Sequence, residues 1–247
     1  MNIKKIGGQL ISKKIRDVLL KIMNDPEIKK RGKLPREDEL AKILGVSRTS
    51  LRDALSLMET ELFITRRRGI GTIINYDIVN LKARLDIEAE FYNFITEAGY
   101  KPSTQSIRIE YIRAPEKMAE KLQIPAGSST ISVEKVMAGD EIPLIVCVNC
   151  IPEKIIDKKE YSEKDFNQPI FGFLETVCNL HIHHEISNIT SVIFNDRILE
   201  LFGIEKRPTA GLYLNEVAYD IENKPIMWSE EYHRTDKINH TLVRKKI

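Results

Sequence analysis

The stretch LPREDELAKILGVSRTSLRDALSLMETELFITRRRGIGTII, residues 34–74, decides the fold of the N-terminal part of the chain. Leu34-Pro35 opens a helix whose first turn is acidic, which suits the positive end of a helix dipole, and Gly45 ends that helix. Ser47 stands at the N-cap position of the next helix, where apolar residues recur every three or four positions. The spacing therefore predicts two helices joined by a short turn.

Two β-strands, 63–66 and 72–74, are predicted after these helices, and the glycine-containing segment between them indicates a hairpin. Upstream, residues 9–23 have the apolar spacing of a helix, which Asn24-Asp25-Pro26 ends. Residues 29–33 are predicted to form a basic loop. Three helices followed by a hairpin predict a winged helix-turn-helix domain over residues 1–76.

The outer face of the second helix of this pair carries the candidate DNA contacts. Because its apolar residues face inward, Arg48 and Arg52 point outward one turn apart, and an arginine can hold a guanine edge with two hydrogen bonds. Ser47, Thr49 and Ser50 place hydroxyl groups beside free backbone N–H groups, an arrangement that binds phosphate.

The hairpin adds a second basic element, Arg66-Arg67-Arg68, followed by Gly69, which allows close approach to a nucleic-acid backbone. Such a charge run is often only a solvated surface. Its position directly after a helix-turn-helix favours contact with DNA phosphates or the minor groove.

Charge is divided unevenly along the 247 residues. Residues 1–75 hold 17 Lys+Arg against 9 Asp+Glu, while the remainder holds 21 against 27, for a net charge of +2. This asymmetry predicts that only the first part meets a polyanion. No apolar run is long enough for a membrane span, and Met1–Lys5 lacks the apolar core of a signal peptide, so we expect a cytoplasmic protein.

The remaining sequence predicts a second domain of α+β class, residues 92–247, after a polar linker over residues 77–91. Its strands are rich in Val, Ile and Tyr, and they are predicted at 106–113, 130–137, 144–151, 185–194, 211–220 and 226–234. Short helices are predicted at 88–98, 115–122, 170–179 and 196–202. The strands indicate a mainly antiparallel sheet.

Metal and catalytic sites are not expected. Cys147 and Cys150 would point to opposite faces of a strand, and the segment from His181 to His184 fits a surface strand better than a metal site. Three cysteines without a secretory signal indicate reduced thiols. We expect no cofactor, and no nucleophile or paired-carboxylate motif is present.

Residues 34–55, continued through Arg66–Thr72, resemble the signature of GntR-type transcription regulators, and the resemblance covers about residues 9–75. It implies DNA contact by Ser47, Arg48, Thr49, Arg52 and the wing at Arg68-Gly69. The family has an arginine where this chain has Asp38, so the resemblance leaves Arg36 as its substitute two residues earlier.

The second domain resembles the UTRA ligand-sensing domain of the HutC-type branch, which has a chorismate-lyase-like fold. The matching segments are 99–102, 131–136, 142–144, 224–226 and 232–236. Members that bind phosphorylated sugars carry an Arg-x-Arg pair where this chain has Lys135 and Met137. Their Ser-x-Tyr is replaced here by Pro169-Ile170-Phe171. These replacements predict a less anionic, more apolar effector.

Strand alternation places Ser229, Glu231 and His233 on one face, and with Lys135, Met137 and Phe171 they are the predicted effector-binding residues. Together the two resemblances imply a homodimeric repressor that binds a palindromic double-stranded DNA operator and is released by a small-molecule effector. The alternatives are an enzyme on the C-terminal domain and a DNA-binding module whose second domain only dimerises.

Overall fold

The computed structural model describes residues 8–87, 90–156 and 161–245, which form two compact units that divide between Leu81 and Lys82. Residues 1–7, with the N-terminus discussed above, and residues 88–89 of the predicted linker lie outside the described residues. Within the described part of the chain, no helix is both long and apolar enough to cross a membrane.

The first unit begins with four helices, α1 (Gly8–Met23), α2 (Pro26–Arg31), α3 (Glu37–Leu44) and α4 (Arg48–Thr60). Leu19 of α1 and Leu51, Leu55 and Met58 of α4 are completely buried, and they form the centre of this unit's core. Gly45 ends α3 in the left-handed conformation, at φ +62°, as predicted.

Two details of the helical region differ from the prediction. Lys29–Arg31 lies in helix α2 and not in a loop, because the Asp25 carboxylate accepts N–H groups of the first turn and Gly32 ends the helix at φ +66°. Helix α3 begins at Glu37 and not at Leu34-Pro35, because Arg36 has extended backbone, at φ −60° and ψ 147°.

The hairpin consists of β1 (Ile64–Arg67) and β2 (Gly71–Ile74), each within one residue or so of its predicted bounds. The register pairs Ile64 with Ile74 and Arg67 with Gly71. Gly69 adopts φ +78° at the tip, a conformation that costs glycine little. A short helix, α5 (Tyr76–Val79), follows.

The second unit is an α+β domain built on one antiparallel sheet, which confirms the predicted class. The strand order is β3-β4-β5-β8-β7-β6. The strands are β3 (Pro102–Arg113), β4 (Ser129–Gly139), β5 (Ile142–Pro152), β6 (His184–Ile193), β7 (Ala210–Tyr219) and β8 (Pro225–His233). The helices are α6 (Phe91–Glu97), α7 (Glu116–Lys121), α8 (Ile170–Thr176) and α9 (Asp196–Leu201). Two 3₁₀ turns are at Glu153–Ile155 and Glu163–Asn167.

Helices cover both faces of this sheet. On one face α6 packs against Met137 and Cys147, and α8 packs nearby against Ile131 and Val133. On the other face α7 packs against Cys150, while α9 packs against strand residues of β4 and β5. The alternation of the strands therefore separates a face with α6 and α8 from a face with α7 and α9.

The start of the second unit is held by its C-terminal segment. Ala83 is completely buried, and Arg84 forms a parallel bridge with Thr241. Leu85 N–H donates to the Thr241 carbonyl over 2.9 Å, and Thr241 N–H donates to the Ala83 carbonyl over 3.0 Å. Residues 83–85, within the predicted linker, thus pack as part of this unit.

Candidate DNA-binding face and effector cavity

The N-terminal end of α4 is formed by Ser47 and its neighbours. Ser47 Oγ accepts the Ser50 N–H over 3.0 Å, and the Ser47 and Ser50 hydroxyl oxygens lie 2.8 Å apart. Thr49 is exposed beside them. This cap fixes the first turn of α4, and it leaves short hydroxyl groups at the positive end of the helix dipole.

Arg48 and Arg52 both project from the exposed face of α4, with about two thirds of each side chain accessible, and each pairs with an acid of α3. Arg48 Nε lies 3.1 Å from Asp38 Oδ1, and Arg52 Nε lies 2.7 Å from Glu37 Oε2. The hydrogen bond to Glu37 raises the pKa of Arg52, so this guanidinium stays charged. Asp38, where the family resemblance expects arginine, thus holds a neighbouring arginine.

The three arginines of the hairpin differ in their surroundings. The Arg66 side chain donates to Glu59 Oε2 over 2.8 Å and to Ser56 Oγ over 3.0 Å, so it links the hairpin to α4. Arg67 and Arg68, with Gly69, are exposed at the tip. Arg36 is also exposed, at the N-terminal end of α3.

A cavity of about 650 Å³, partly open to solvent, lies in the second unit on the sheet face that α6 and α8 cover. Its floor is a row of polar residues on adjacent strands, Asn149 of β5 and Ser229, Glu231 and His233 of β8, all of them buried. Asn149 stands opposite Ser229 in the register, and Ser229 Oγ donates to Asn149 Oδ1 over 3.0 Å. The predicted β8 residues therefore do share one face and one cavity.

His233 is the centre of a hydrogen-bonded chain. Burial lowers the pKa of His233 well below its usual value, and the nearby His240 lowers it further, so the ring is neutral. Its Nε2 lies 2.9 Å from Glu231 Oε2, and its Nδ1 lies 2.9 Å from His240 Nε2. A neutral ring has one N–H, and a carboxylate can only accept, so we assign the proton to Nε2. His240 then donates to Nδ1.

The cavity walls combine acidic and aromatic side chains. Carboxyl groups come from Glu90, Glu185, Glu216 and Glu231. Aromatic surface comes from Phe91, Phe94 and Phe171. Ser187 Oγ donates to Glu216 Oε1 over 2.5 Å, and Phe171 N–H donates to Glu90 Oε1 over 3.0 Å.

Lys135 and Met137 line a smaller neighbouring cavity of about 300 Å³, which shares Glu90 and Asn149 with the larger one. Lys135 is buried, and its Nζ donates to the Gln168 carbonyl over 2.7 Å. Burial lowers the pKa of Lys135. The six predicted effector residues thus fall in two adjoining cavities, with Phe171 in the larger.

Comparison with known proteins matches both units. The protein-family model described as "Bacterial regulatory proteins, gntR family" matches residues 11–74, and the family model of the UTRA domain matches residues 97–239. A relative, the HTH-type transcriptional regulator GgaR of Escherichia coli K12, is 30% identical over 207 residues, which cover 82% of this chain and 78% of GgaR. The chain belongs to the gntR family.

Two further comparisons agree with this assignment. The chain is 24% identical to the HTH-type transcriptional repressor NagR of Bacillus subtilis over 206 residues, which cover 83% of each protein. The crystal structure described as "possible transcriptional regulator YydK" of B. subtilis has the same fold, with a TM-score of 0.70 at 16% identity, covering 97% of this chain and 99% of that one. This gntR-family protein is therefore a DNA-binding transcription regulator with a ligand-sensing UTRA domain, and not an enzyme.

Sequence reasoning missed several cavity residues of this gntR-family protein. Asn149 was detectable as a lone polar residue within the apolar strand 144–151. Glu216 and Glu185 gave no such signal, because only the pairing of β6, β7 and β8 brings Glu216 opposite Ser229 and Glu185 to the wall of the same cavity. Glu90 comes from the segment predicted as linker.

No group of three or more potential metal ligands occurs in the ranges that the structure describes. His183 and His184 have their Nδ1 atoms 3.1 Å apart at the start of β6, and His184 stacks on Tyr219. Cys147 and Cys150 pack in different clusters on opposite faces of the sheet.

Proposed function

We propose that the protein is a homodimeric repressor that binds a palindromic operator through α4 and the hairpin, and that a small molecule in the UTRA cavity releases it. The observation that carries the DNA contacts is the placement of Arg48 and Arg52, exposed and one turn apart at the N-terminal end of α4. A recognition helix presents this end to base edges in the major groove.

The other proposed contacts are to the DNA backbone. Ser47, Thr49 and Ser50 would bind phosphate at the helix terminus, and exposed Arg67 and Arg68 beside Gly69 would bind phosphate or the minor groove. Arg66 would act mainly by holding the hairpin against α4, since its side chain is engaged with Glu59. Arg36 would add charge near the position of Asp38. Acting on bacterial DNA would place the regulator in the cytoplasm.

The edge strand β6 supports the proposed dimer. It stands at the end of the sheet order, and Ile186, Ile189 and Ile193 are 53%, 44% and 62% exposed. A long exposed edge strand with apolar residues is a surface that proteins usually cover. A second copy of the chain would cover it, and an operator with two-fold symmetry matches a two-fold dimer.

The same strand would couple the effector to DNA binding. Glu185, Ser187 and Ile189 of β6 contribute to the wall of the larger cavity. An effector that binds one arrangement of β6 better than another would shift the dimer toward that arrangement, and so change the spacing of the two recognition helices. Lys135, Met137, Phe171, Ser229, Glu231 and His233 are the proposed effector contacts.

A mobility-shift titration with the DNA upstream of the protein's own gene tests the DNA contacts. Changing Arg48 or Arg52 to alanine should weaken specific binding between about 5- and 150-fold, the range for loss of a guanine contact. Arg113→Ala, an exposed arginine of the second unit, is the matched control and should leave binding unchanged. The absence of any specific shift at low and moderate salt would refute the proposed function.

A further inference from the structure

We propose that the effector carries a positively charged amino group, which binds between Glu231 and Glu216 in the larger cavity of the UTRA domain. The inference rests on the proposed function, because it takes this cavity as the effector site. It adds the charge of the ligand, which neither the family nor the relatives' names assign.

The first step is the charge of the cavity wall. Among the described residues that line the cavity, four are glutamates, Glu90, Glu185, Glu216 and Glu231, and the one arginine, Arg84, is buried in a two-point ion pair with Asp86. An anionic ligand would meet four carboxyl groups, and a cation would be attracted by them. A carboxylate that hydrogen-bonds a cationic donor makes a stronger interaction than it makes with a neutral one.

The second step is the fixed position of Glu231. Its side chain is buried on the cavity floor, and a neutral histidine, His233, holds one carboxylate oxygen through a hydrogen bond. The Phe91 and Phe94 rings each form a T-shaped contact with the His233 ring, with centroids 6.2 and 6.0 Å away. Because the His233 ring is neutral, this hydrogen bond orients Glu231 without bringing a positive charge to the carboxyl group.

Glu216 lies next to this group on the neighbouring strand. In the register it stands opposite Ser229, and Leu214 stands opposite Glu231, so the two carboxylates belong to adjacent positions on one face. The hydrogen bond that the structure gives Glu216 comes from the hydroxyl of Ser187, a neutral donor. An ammonium group has three N–H donors, which can be shared between two carboxylates and the Ser229 hydroxyl.

The third step concerns the rest of the ligand. Phe91, Phe94 and Phe171 give the cavity an aromatic wall, which attracts both an apolar body and an organic cation. The space of about 650 Å³ includes a part that is open to solvent, so the enclosed part of the cavity suits a small ligand. The ligand class is therefore a compact organic amine, and not a phosphorylated or carboxylated compound.

Pairs of probes that differ by one charge test the inference. Cyclohexylmethylamine is compared with cyclohexylmethanol, and D-glucosamine with D-glucose, by the shift of the thermal unfolding midpoint of the full-length protein at pH 7 and by calorimetry. At least one amine should raise the midpoint more than its neutral partner. D-glucose 6-phosphate should give no shift.

Glu231→Gln keeps the shape and an acceptor for His233 but removes the charge, and it should weaken binding of the amine at least tenfold. Glu216→Gln is a second variant with the same expectation. Glu230→Gln is the matched control, because Glu230 neighbours Glu231 on β8 but does not line the cavity, and its carboxylate accepts from the Tyr213 hydroxyl. It should bind the amine as the unchanged protein does.

The inference is overturned if neither amine exceeds its neutral partner, if the preference survives both Glu231→Gln and Glu216→Gln, or if the sugar phosphate binds instead. The mobility shift on the same preparations separates this from the proposed function. Retained DNA binding without an amine preference refutes only the ligand charge, whereas loss of the DNA shift refutes the proposed regulator whatever the amine does.

Discussion

Replacement of Asp38 by asparagine is expected to strengthen binding to the operator. Asp38 Oδ1 lies 3.1 Å from Arg48 Nε, and the two side chains are 68% and 69% exposed. An ion pair so exposed contributes about 0.2–1 kcal/mol, because water screens it. Arg48 has to give up this pair when it contacts a base, so its removal lowers the free-energy cost of binding by that amount per protomer.

In the proposed dimer two recognition helices bind at once, and the gain would double to about 0.4–2 kcal/mol, or about 2- to 30-fold in affinity. Asp38→Arg should add a phosphate contact to this gain, and so steepen the dependence of affinity on salt by about one unit per protomer. The assay is a fluorescence-anisotropy titration with the operator fragment at several salt concentrations. Asp77→Asn, at an exposed acid of α5, is the control for net charge. Affinity for Asp38→Asn equal to or below that of the unchanged protein would show that the pair does not compete with DNA.

Three further predictions concern stability. Arg66→Ala should lower the free energy of unfolding of the first unit by about 1 kcal/mol in urea, because it removes the link to Glu59. An equal loss in Arg67→Ala or Arg68→Ala would contradict the different roles given to Arg66 and to these two exposed arginines. Ser47→Ala should lower the free energy of unfolding by about 1 kcal/mol, because the Ser50 N–H loses its cap. An unchanged free energy of unfolding in the same assay would show that α4 does not depend on this cap. Since the pKa of His233 is lowered on folding, the unfolded chain binds a proton below about pH 6.5 that the folded protein does not, and stability falls as pH falls. Part of the loss of stability between pH 7.5 and 5.5 should come from this residue, and His233→Gln should lack that part, so identical pH profiles of the two proteins would refute it.

The N-terminal fold was predictable because its signals are local. Gly45 and Ser47 mark the turn between α3 and α4 through their own backbone and hydroxyl chemistry, and Gly69 marks the hairpin tip. Helix α2 was missed because six residues with one buried apolar side chain, Ile28, carry no periodicity. Its ends are set by Asp25 and Gly32, and both residue types are also common in turns.

The candidate sites were predictable only within single elements. The outward direction of Arg48 and Arg52 follows from helical spacing, but their pairing with Asp38 and Glu37 depends on how α3 crosses α4. The spacing of residues within either helix does not predict such a contact between helices.

In the UTRA domain, the alternation of side chains along a strand correctly placed Ser229, Glu231 and His233 on one face. It did not show that β8 lies between β5 and β7, strands far apart in the chain. That order brings Asn149 and Glu216 to the same cavity, so the acidic character of the wall became visible only in the structure.

Substitution of 7-deazaguanine for guanine in the operator tests the central claim most directly, because it removes the N7 acceptor that an arginine contacts in the major groove. If Arg48 and Arg52 contact guanine edges, the unchanged protein should lose about tenfold or more in affinity for the substituted DNA. The double variant Arg48→Ala, Arg52→Ala should then bind both DNAs alike. Equal affinity of the unchanged protein for the two DNAs, or the same loss in the double variant, would contradict the assignment of α4 as the helix that recognises bases.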